Sequence, residues 1–330
     1  MHRSSPLLLS VTAGCAQLSG YTELQLSECV DCADANPVDV APAMFDVAAE
    51  EADSTAVDTS DGTTCATNLA TCAGGCVDTS SDARHCGGCG RSCADGERCV
   101  NAECRTARSC AEIRQQSPTS PSGVYRLQIE TPTNVFCDMT GDGGGWTLVM
   151  KVDGTKKTFE YDSPFWTNEV SLGAESTNLD EVEHKNAAFR WVGFKAVRVG
   201  MAEKGKPIRH LTLAAEASSL FALFTRPPVL TAAGRAAWLA LLPDARLQSG
   251  CNLEGFNVNE LFQRRLRIGI FGNNDPSCND PDSFIGFGYT NRPVCTSQTE
   301  PGVTVGNHMP DGCGSTEPRT IPAFGYVWIR

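Results

Sequence analysis

The sequence predicts an α+β protein: a β-rich, disulfide-bonded domain with short helices, preceded by a small disulfide-rich module and a polar N-terminal stretch. Three observations predict it. The stretch Cys137–Val149, CDMTGDGGGWTLV, joins a half-cystine, an acidic turn and three consecutive glycines to a strand-like run that starts at Trp146. The chain has 17 cysteines but only five histidines, none at a ligand spacing beside the cysteine pairs, so disulfides made outside the cytoplasm account for the cysteines better than metal does. Eight of the cysteines fall within residues 65–104, where core-forming residues are scarce.

The charge of the chain, formally -12, is unevenly placed. Between Arg3 and Arg84 there is no Lys or Arg, against 13 Asp and Glu; from Arg84 to the end, 26 basic and 26 acidic residues cancel. The acidity therefore belongs to one segment, and the C-terminal region offers no basic face for nucleic acid.

The first residues, MHRSSPLLLSVTAGCAQ, have a His-Arg start, an apolar run from Leu7 to Val11 and small residues before Cys15. A run this short reads as a signal peptide over residues 1–14, not as a membrane span. SVTAGC resembles a bacterial lipobox, which implies lipidation of Cys15 and attachment at an outer membrane or cell surface; an ordinary secretion signal with a chance cysteine is the alternative. Removing Cys15 leaves 16 cysteines, an even number for bridging.

Residues 15–64 read as an acidic, disordered spacer, because Ala, Asp, Pro, Ser and Thr dominate and apolar residues are few. About 50 flexible residues reach roughly 40 Å, enough for a stalk. Cys29 and Cys32 are expected to bridge each other or form a local clip. The next segment holds Cys65, Cys72, Cys76, Cys86, Cys89, Cys93, Cys99 and Cys104, which implies four bridges whose connectivity is not readable from sequence. Zinc competes at Cys86-Gly-Gly-Cys89, with His85 adjacent. The pattern resembles a short module of surface proteins in myxobacteria and related bacteria, which implies a spacer or interaction role.

In residues 105–330, a helical turn is expected around Ala111–Gln116, then strands at Gly123–Ile129 and Asn134–Met139, and the strand from Trp146. The glycines between them mark a tight corner, since a phosphate-cradling loop needs a following helix and a Lys-Ser/Thr, whereas WTLVMKV follows. Cys110, Ser122–Tyr125 (SGVY), Phe136–Met139 (FCDM) and Gly143–Leu148 (GGGWTL) occur in the order found in the fibrinogen C-terminal domain, and this region resembles that family, which includes ficolins and tachylectins and, more distantly, intelectins. The resemblance implies a twisted, mainly antiparallel central sheet with short helices. It also implies a Cys110–Cys137 disulfide, whose loop contributes about 3.5 kcal/mol in the chain-entropy model. Ser163–Leu172 faintly resembles the family's FWLGNE segment.

Further on, Phe194–Met201 and Ile208–Ala214 read as strands, and Ser218–Thr225 and Ala232–Leu242 as apolar helices; the tryptophans read as core. Arg265–Phe271 reads as a strand, followed by a loop rich in Asn and Asp. Within that loop Asp280 to Gly286 reads D-x-D-x-F-x-G. Hard cations take several oxygens at roughly 2.3–2.6 Å, and two Asp at i and i+2 followed by turned-out carbonyls supply them. The fibrinogen calcium loop has this order, which implies Ca²⁺ held by the carboxylates of Asp280 and Asp282 and the carbonyls of Phe284 and Gly286. The alternative is that the two Asp bond their own turn.

The family disulfide after that loop fits Cys295–Cys313, which leaves Cys251 with Cys278. Here the chain departs from the family: GFGYTNRPVC delays the cysteine, and Cys313 is followed by Gly314-Ser315-Thr316. Acetyl-group or peptide recognition does not transfer, and Tyr289, Asn307 and His308 are candidates to line a pocket. The closing AFGYVWIR reads as a strand returning to the central sheet.

Function follows as an expectation: an extracytoplasmic, lipid-anchored, calcium-dependent recognition protein, lectin-like, with a glycan, acetylated ligand or protein as partner and homo-oligomers foreseen. The alternative is a structural or protein-interaction component that binds no glycan. No nucleophile elbow, HExxH or Cys-His arrangement free of disulfide duty is present, so no enzyme is expected.

Overall fold

The protein is described from a computed structural model covering residues 65–73, 75–94, 96–259, 264–290, 301–312 and 317–330, which fall within one compact unit. Cys15, the spacer with Cys29 and Cys32, and the expected Cys295–Cys313 bridge lie outside the described residues.

Two hairpins make the disulfide module: β1 (Ala70–Cys72) with β2 (Gly75–Val77), and β3 (Arg98–Val100) with β4 (Glu103–Arg105). Asn101 and Ala102 turn β3 into β4 with positive φ of 51° and 64°, the backbone of a type I′ hairpin turn. Disulfides Cys65–Cys76, Cys72–Cys89, Cys86–Cys99 and Cys93–Cys104 stand in for a core. Cys86 and Cys89 are thus bridged to other cysteines, and His85 Nδ1 accepts the Gly90 N–H at 3.0 Å, so no zinc knuckle forms here. The sulfurs of Cys86, Cys93 and Cys104 lie near one another, but all three are in bridges.

The globe opens with α1 (Cys110–Gln116), capped by the Ser109 hydroxyl, which accepts the Glu112 N–H at 3.1 Å. A hairpin of β5 (Gly123–Leu127) and β6 (Thr133–Asp138) follows, and Cys110 is bridged to Cys137 on β6. One 3₁₀ turn, Gly141–Gly143, then leads into β7 (Trp146–Asp153). The glycine corner is a real backbone requirement: a Cβ on Gly144, whose φ is 73°, would lie 2.0 Å from the Met139 carbonyl oxygen.

The remaining elements are β8 (His184–Lys185), α2 (Ala188–Trp191), β9 (Phe194–Ala202), β10 (Arg209–Ala217), α3 (Leu220–Phe224), β11 (Val229–Leu230) and α4 (Arg235–Leu239). Then come β12 (Gly250–Asn259), β13 (Arg265–Asn273), β14 (Ser283–Phe287), β15 (Val305–Met309), β16 (Arg319–Pro322) and β17 (Phe324–Ile329). They build two antiparallel sheets. The first has the order β10-β9-β17-β7-β6-β5, with β8 on β7; the second runs β11 to β16 in chain order. The C-terminal strand β17 lies between β7 and β9, antiparallel to both.

One core cluster draws on both sheets, with Val149, Val152 and Val327 from the first, Ile268, Ile270 and Ile285 from the second, and Trp166 and Trp238 among them. Smaller clusters gather around Trp146, Tyr326 and Trp328, and around Phe271, Phe284 and Tyr289. Cys251–Cys278 ties the start of β12 to the segment after β13.

Three expectations are corrected, and one strand is added. Trp191 is 37% exposed, stacked beside the Arg190 guanidinium, because α2 ends there and turns its last residue outward. The two later helices are shorter than expected, since Ser219 caps α3 and Pro227 and Pro228 follow its end. Strand β12, ten residues long, has no counterpart in the sequence reading. Half of the expected Asp280–Gly286 loop is strand β14, hydrogen-bonded on both sides.

Candidate functional site

The glycine corner is closed by an ionic and aromatic cluster. Arg198 of β9 lies over both Trp146 and Trp328, 4.8 Å from each ring centroid, and donates from Nη2 to Asp138 Oδ2 at 2.7 Å and from Nη1 to the Gly141 carbonyl at 3.3 Å. Asp138 Oδ1 accepts the N–H groups of Gly141 and Thr140 at 2.9 and 3.1 Å. Burial pushes the Asp138 carboxyl up, but the Gly141 amide, Arg198 and the Thr140 amide together outweigh it and hold the group at about 2.

The expected calcium set does not come together. Asp280 is exposed and paired with Arg264. Asp282 is buried, and burial raises its carboxyl, opposed by Arg264 and by a hydrogen bond from Gln248. Phe284 and Gly286 are two apart within the interior strand β14, where carbonyls point in the sheet plane toward neighbouring strands. Their oxygens are therefore about 6.6 Å apart, whereas two ligands of one Ca²⁺ span at most about 5 Å. The Phe284 carbonyl also accepts from Asn307 Nδ2 at 2.8 Å. The four residues do not fit one calcium ion.

Tyr289, Asn307 and His308 do meet around Phe284, but inside the protein. Tyr289 stacks on Phe284 with centroids 4.0 Å apart, and His308 lies 5.9 Å from the same ring. Asn307 pins the chain at Arg246, accepting its N–H at 2.9 Å and donating to its carbonyl at 2.7 Å. These are packing and bracing roles, and Tyr289 and Asn307 are fully buried.

His308 does carry a consequence. Its Nδ1 is 2.8 Å from Thr320 Oγ1, and burial lowers its pKa to about 4. An unfolded histidine titrates near 6.5, so between about pH 6.5 and 4 the unfolded chain binds more protons and stability falls as pH falls. Above pH 6.5 this contribution is fully present; by pH 4 it has lost about 3 kcal/mol. Burial lowers His184 and His210 in the same direction. Urea denaturation at pH 7.5 and 4.5 is expected to show the loss, and His308→Gln to show a smaller difference between the two pH values than the parent protein. An equal difference in both would remove His308 from this account.

The open, polar concavity lies elsewhere, beside the first residues of β13. Tyr161 and Asp162 come from the loop after β7, Arg226 from the turn after α3, Asn257 and Asn259 from β12, and Arg265 and Arg267 from β13; the cavity measures about 480 Å³. Arg265 and Arg267 are two apart on a strand, hence on one face of the sheet. Both guanidinium carbons lie over the Tyr161 ring, at 4.4 and 4.1 Å from its centroid.

Arg267 is only 8% exposed. It donates from Nε to the Tyr161 carbonyl at 2.8 Å, and from Nη1 to Asn257 Oδ1 at 2.9 Å and the Phe224 carbonyl at 3.2 Å. Asn257 holds a positive φ of 51° and donates to the carbonyls of Leu223 and Arg226, locking the floor of the cleft. Arg265 pairs with the exposed Asp162. Burial lowers Arg267, and burial raises Tyr161, so at neutral pH the phenol keeps its proton. The sequence reading missed this site. Its one signal is the alternation in Arg265-Leu266-Arg267, two arginines on one face of an otherwise apolar strand.

Comparison with known proteins divides the chain in the same way as its elements. Residues 22–107 match the model of the stigma-specific STIG1-like protein family, and residues 106–198 match that of the C-terminal globular domain of fibrinogen beta and gamma chains. Angiopoietin-4 of Bos taurus is 34% identical over 70 residues, which are 20% of this chain and 14% of the relative. Angiopoietin-4 of Homo sapiens is 41% identical over 56 residues, 16% of this chain and 11% of the relative. The chain thus spans a small part of the length of the curated relatives it matches. Among solved structures, the fibrinogen-like globe domain of human ANGPTL6 aligns with a TM-score of 0.24 and 19% identity over 33% of this chain and 49% of the other. That of human ANGPTL2 aligns with 0.24 and 20% over 32% and 50%. Arg226, Arg265 and Arg267 lie beyond the residues matched by the fibrinogen family model.

Proposed function

We propose that this chain, which carries a fibrinogen C-terminal domain behind a STIG1-like disulfide module, is an extracytoplasmic recognition protein whose globe binds carbohydrate through the cleft of Tyr161, Arg265 and Arg267. The cleft carries this reading: it is open, polar and about 480 Å³, within the range of small-ligand sites. Its guanidinium, amide and hydroxyl groups suit a polyhydroxylated ligand. The bridging of all twelve described cysteines supports an oxidising compartment. No described helix is long and apolar enough to cross a membrane, and Cys15 is the proposed point of lipid attachment.

Calcium is not required by this reading, since Asp280 is engaged by Arg264 and the carbonyls of β14 are turned into the sheet. A glycan array probed with the full chain is expected to retain at least one saccharide class, equally in calcium and in chelator. Silence across the array from a cooperatively folded protein would sink the carbohydrate reading and favour a protein partner; retention lost on chelation would restore a metal.

A further inference from the structure

The geometry points to the cleft at Arg265 and Arg267 as a site for a carboxylate-bearing sugar, with the guanidinium groups receiving the carboxylate. This rests on reading the globe as a carbohydrate-binding domain and names the class of sugar it takes.

Charge balance is the first argument. The lining holds three arginines and one acid, Asp162. Arg267 is more than nine-tenths buried, yet its three hydrogen-bond acceptors are neutral oxygens: the Tyr161 carbonyl, the Phe224 carbonyl and Asn257 Oδ1. A buried cation held only by neutral dipoles is costly, and an anion entering the cavity offsets that cost. The sole lining carboxylate, Asp162, is already paired with Arg265 and is itself exposed at the rim.

Geometry is the second. Arg265 and Arg267 stand on one face of β13, and their guanidinium groups are gathered over a single aromatic ring. Arg265 Nε is buried and has no hydrogen-bond partner among the described residues. A guanidinium fork matches a planar carboxylate through two parallel N–H···O bonds, which a single ammonium does not reproduce. Because Asn257 and two backbone carbonyls already take the Nε hydrogen and both Nη1 hydrogens, Arg267 is fixed in advance and offers its Nη2 hydrogens and its charge to the carboxylate, with little side-chain entropy lost on binding. Around it, Asn259, Thr225 and the Tyr161 hydroxyl supply neutral donors and acceptors for ring hydroxyls.

The test uses the full chain and three probes in calorimetric titration: a galacturonic acid trimer, a galactose trimer and a glutamate trimer. The galacturonate is expected to bind at least roughly tenfold more tightly than the galactose, the size of one charge-assisted bond. Arg265→Gln is expected to weaken galacturonate roughly tenfold and galactose by a smaller factor, since a hydroxyl loses only a neutral acceptor's bond where the carboxylate loses a charge-assisted one. Asp162→Asn, which removes the competing carboxylate, is expected to tighten galacturonate and leave galactose unchanged. The ion pair of Arg265 is with an exposed acid at the rim and its ring contact is with Tyr161, so its variant is expected to fold, and a thermal melt checks this. Equal binding of galacturonate and galactose overturns the acidic-sugar inference while the carbohydrate reading stands. Galacturonate binding untouched by both variants overturns the location. Glutamate bound as tightly as galacturonate replaces the sugar with an acidic peptide. Absence of binding to either sugar, together with silence on the array, overturns the carbohydrate reading itself.

Discussion

Glu254→Ala is expected to destabilise the globe by roughly 4 kcal/mol, because it strips a buried acceptor from four donors at once. Glu254 Oε2 accepts from Trp238 Nε1 at 2.7 Å, Thr231 Oγ1 at 3.1 Å and the Ala233 N–H at 3.2 Å, while Oε1 accepts the Gly234 N–H at 2.8 Å. Gly234 is the N-cap of α4 and has no side chain of its own with which to cap it. The carboxylate from β12 caps the helix from across the core and fixes Trp238, which is fully buried. Glu254→Gln keeps one acceptor oxygen and the volume, so its loss is expected to be about half as large. Urea denaturation at pH 7 measures both, and an alanine variant within about 1 kcal/mol of the parent would show that water replaces the carboxylate at no penalty.

Arg198→Met is expected to be nearly as damaging, with a loss of about 3–5 kcal/mol, the range for removing one partner of a buried ion pair. Methionine keeps much of the stem packing between Trp146 and Trp328 but leaves Asp138 without its cation and the Gly141 carbonyl without a donor. Adding Asp138→Asn to Arg198→Met is expected to lose less than the sum of the single changes, because the two share one interaction. Asp138 also sets an acid limb. With a folded pKa of about 2 against 3.8 unfolded, its contribution is complete above pH 3.8 and disappears as pH falls to 2. Asp138→Asn is expected to abolish that limb while leaving the histidine-driven decline between pH 6.5 and 4 in place. Persistence of the lower limb in the variant would assign it to other carboxylates.

These two sites differ in how far the sequence announced them. The corner itself was legible: three glycines followed by WTLV, after FCDM, carry their own backbone instructions, and Gly144 confirms the reason through its approach to Met139. Helix α1, the hairpin β5–β6, strands β9 and β10 and the final strand were legible too, since a cap residue or an alternating apolar pattern marks each. Strand β12 was not. Its sequence, GCNLEGFNVN, mixes two glycines and three asparagines into the run, residues depleted from strands on average, and only pairing with β11 and β13 over its length makes it a strand. The Asp280–Gly286 stretch failed in the opposite direction. Its Asp-Pro-Asp start has the look of a turn, yet the apolar residues after it are buried between β13 and β15.

The charged groups were the least legible. Nothing local distinguishes Glu254 or Arg198 from surface residues, and only the alternation in Arg265-Leu266-Arg267 marks Arg267. Each is buried because a distant element brings its partner: Trp238 for the first, Asp138 for the second, and for Arg267 the Tyr161 carbonyl, 106 residues earlier in the chain.

By itself, then, the sequence determined the elements whose instructions are local, the disulfide-rich character of the chain and the fibrinogen-like resemblance at the start of its globe. Backbone preference and side-chain period act over a few residues and survive without knowledge of the rest. Tertiary structure alone decided the order of the sheets, with β17 entering between β7 and β9, and through that order which polar groups face one another. It divided the expected calcium ligands, since two carbonyls on an interior strand cannot turn to one ion. It also placed two arginines of β13 over Tyr161, because burial and charge pairing are set by contacts that no short window of sequence contains.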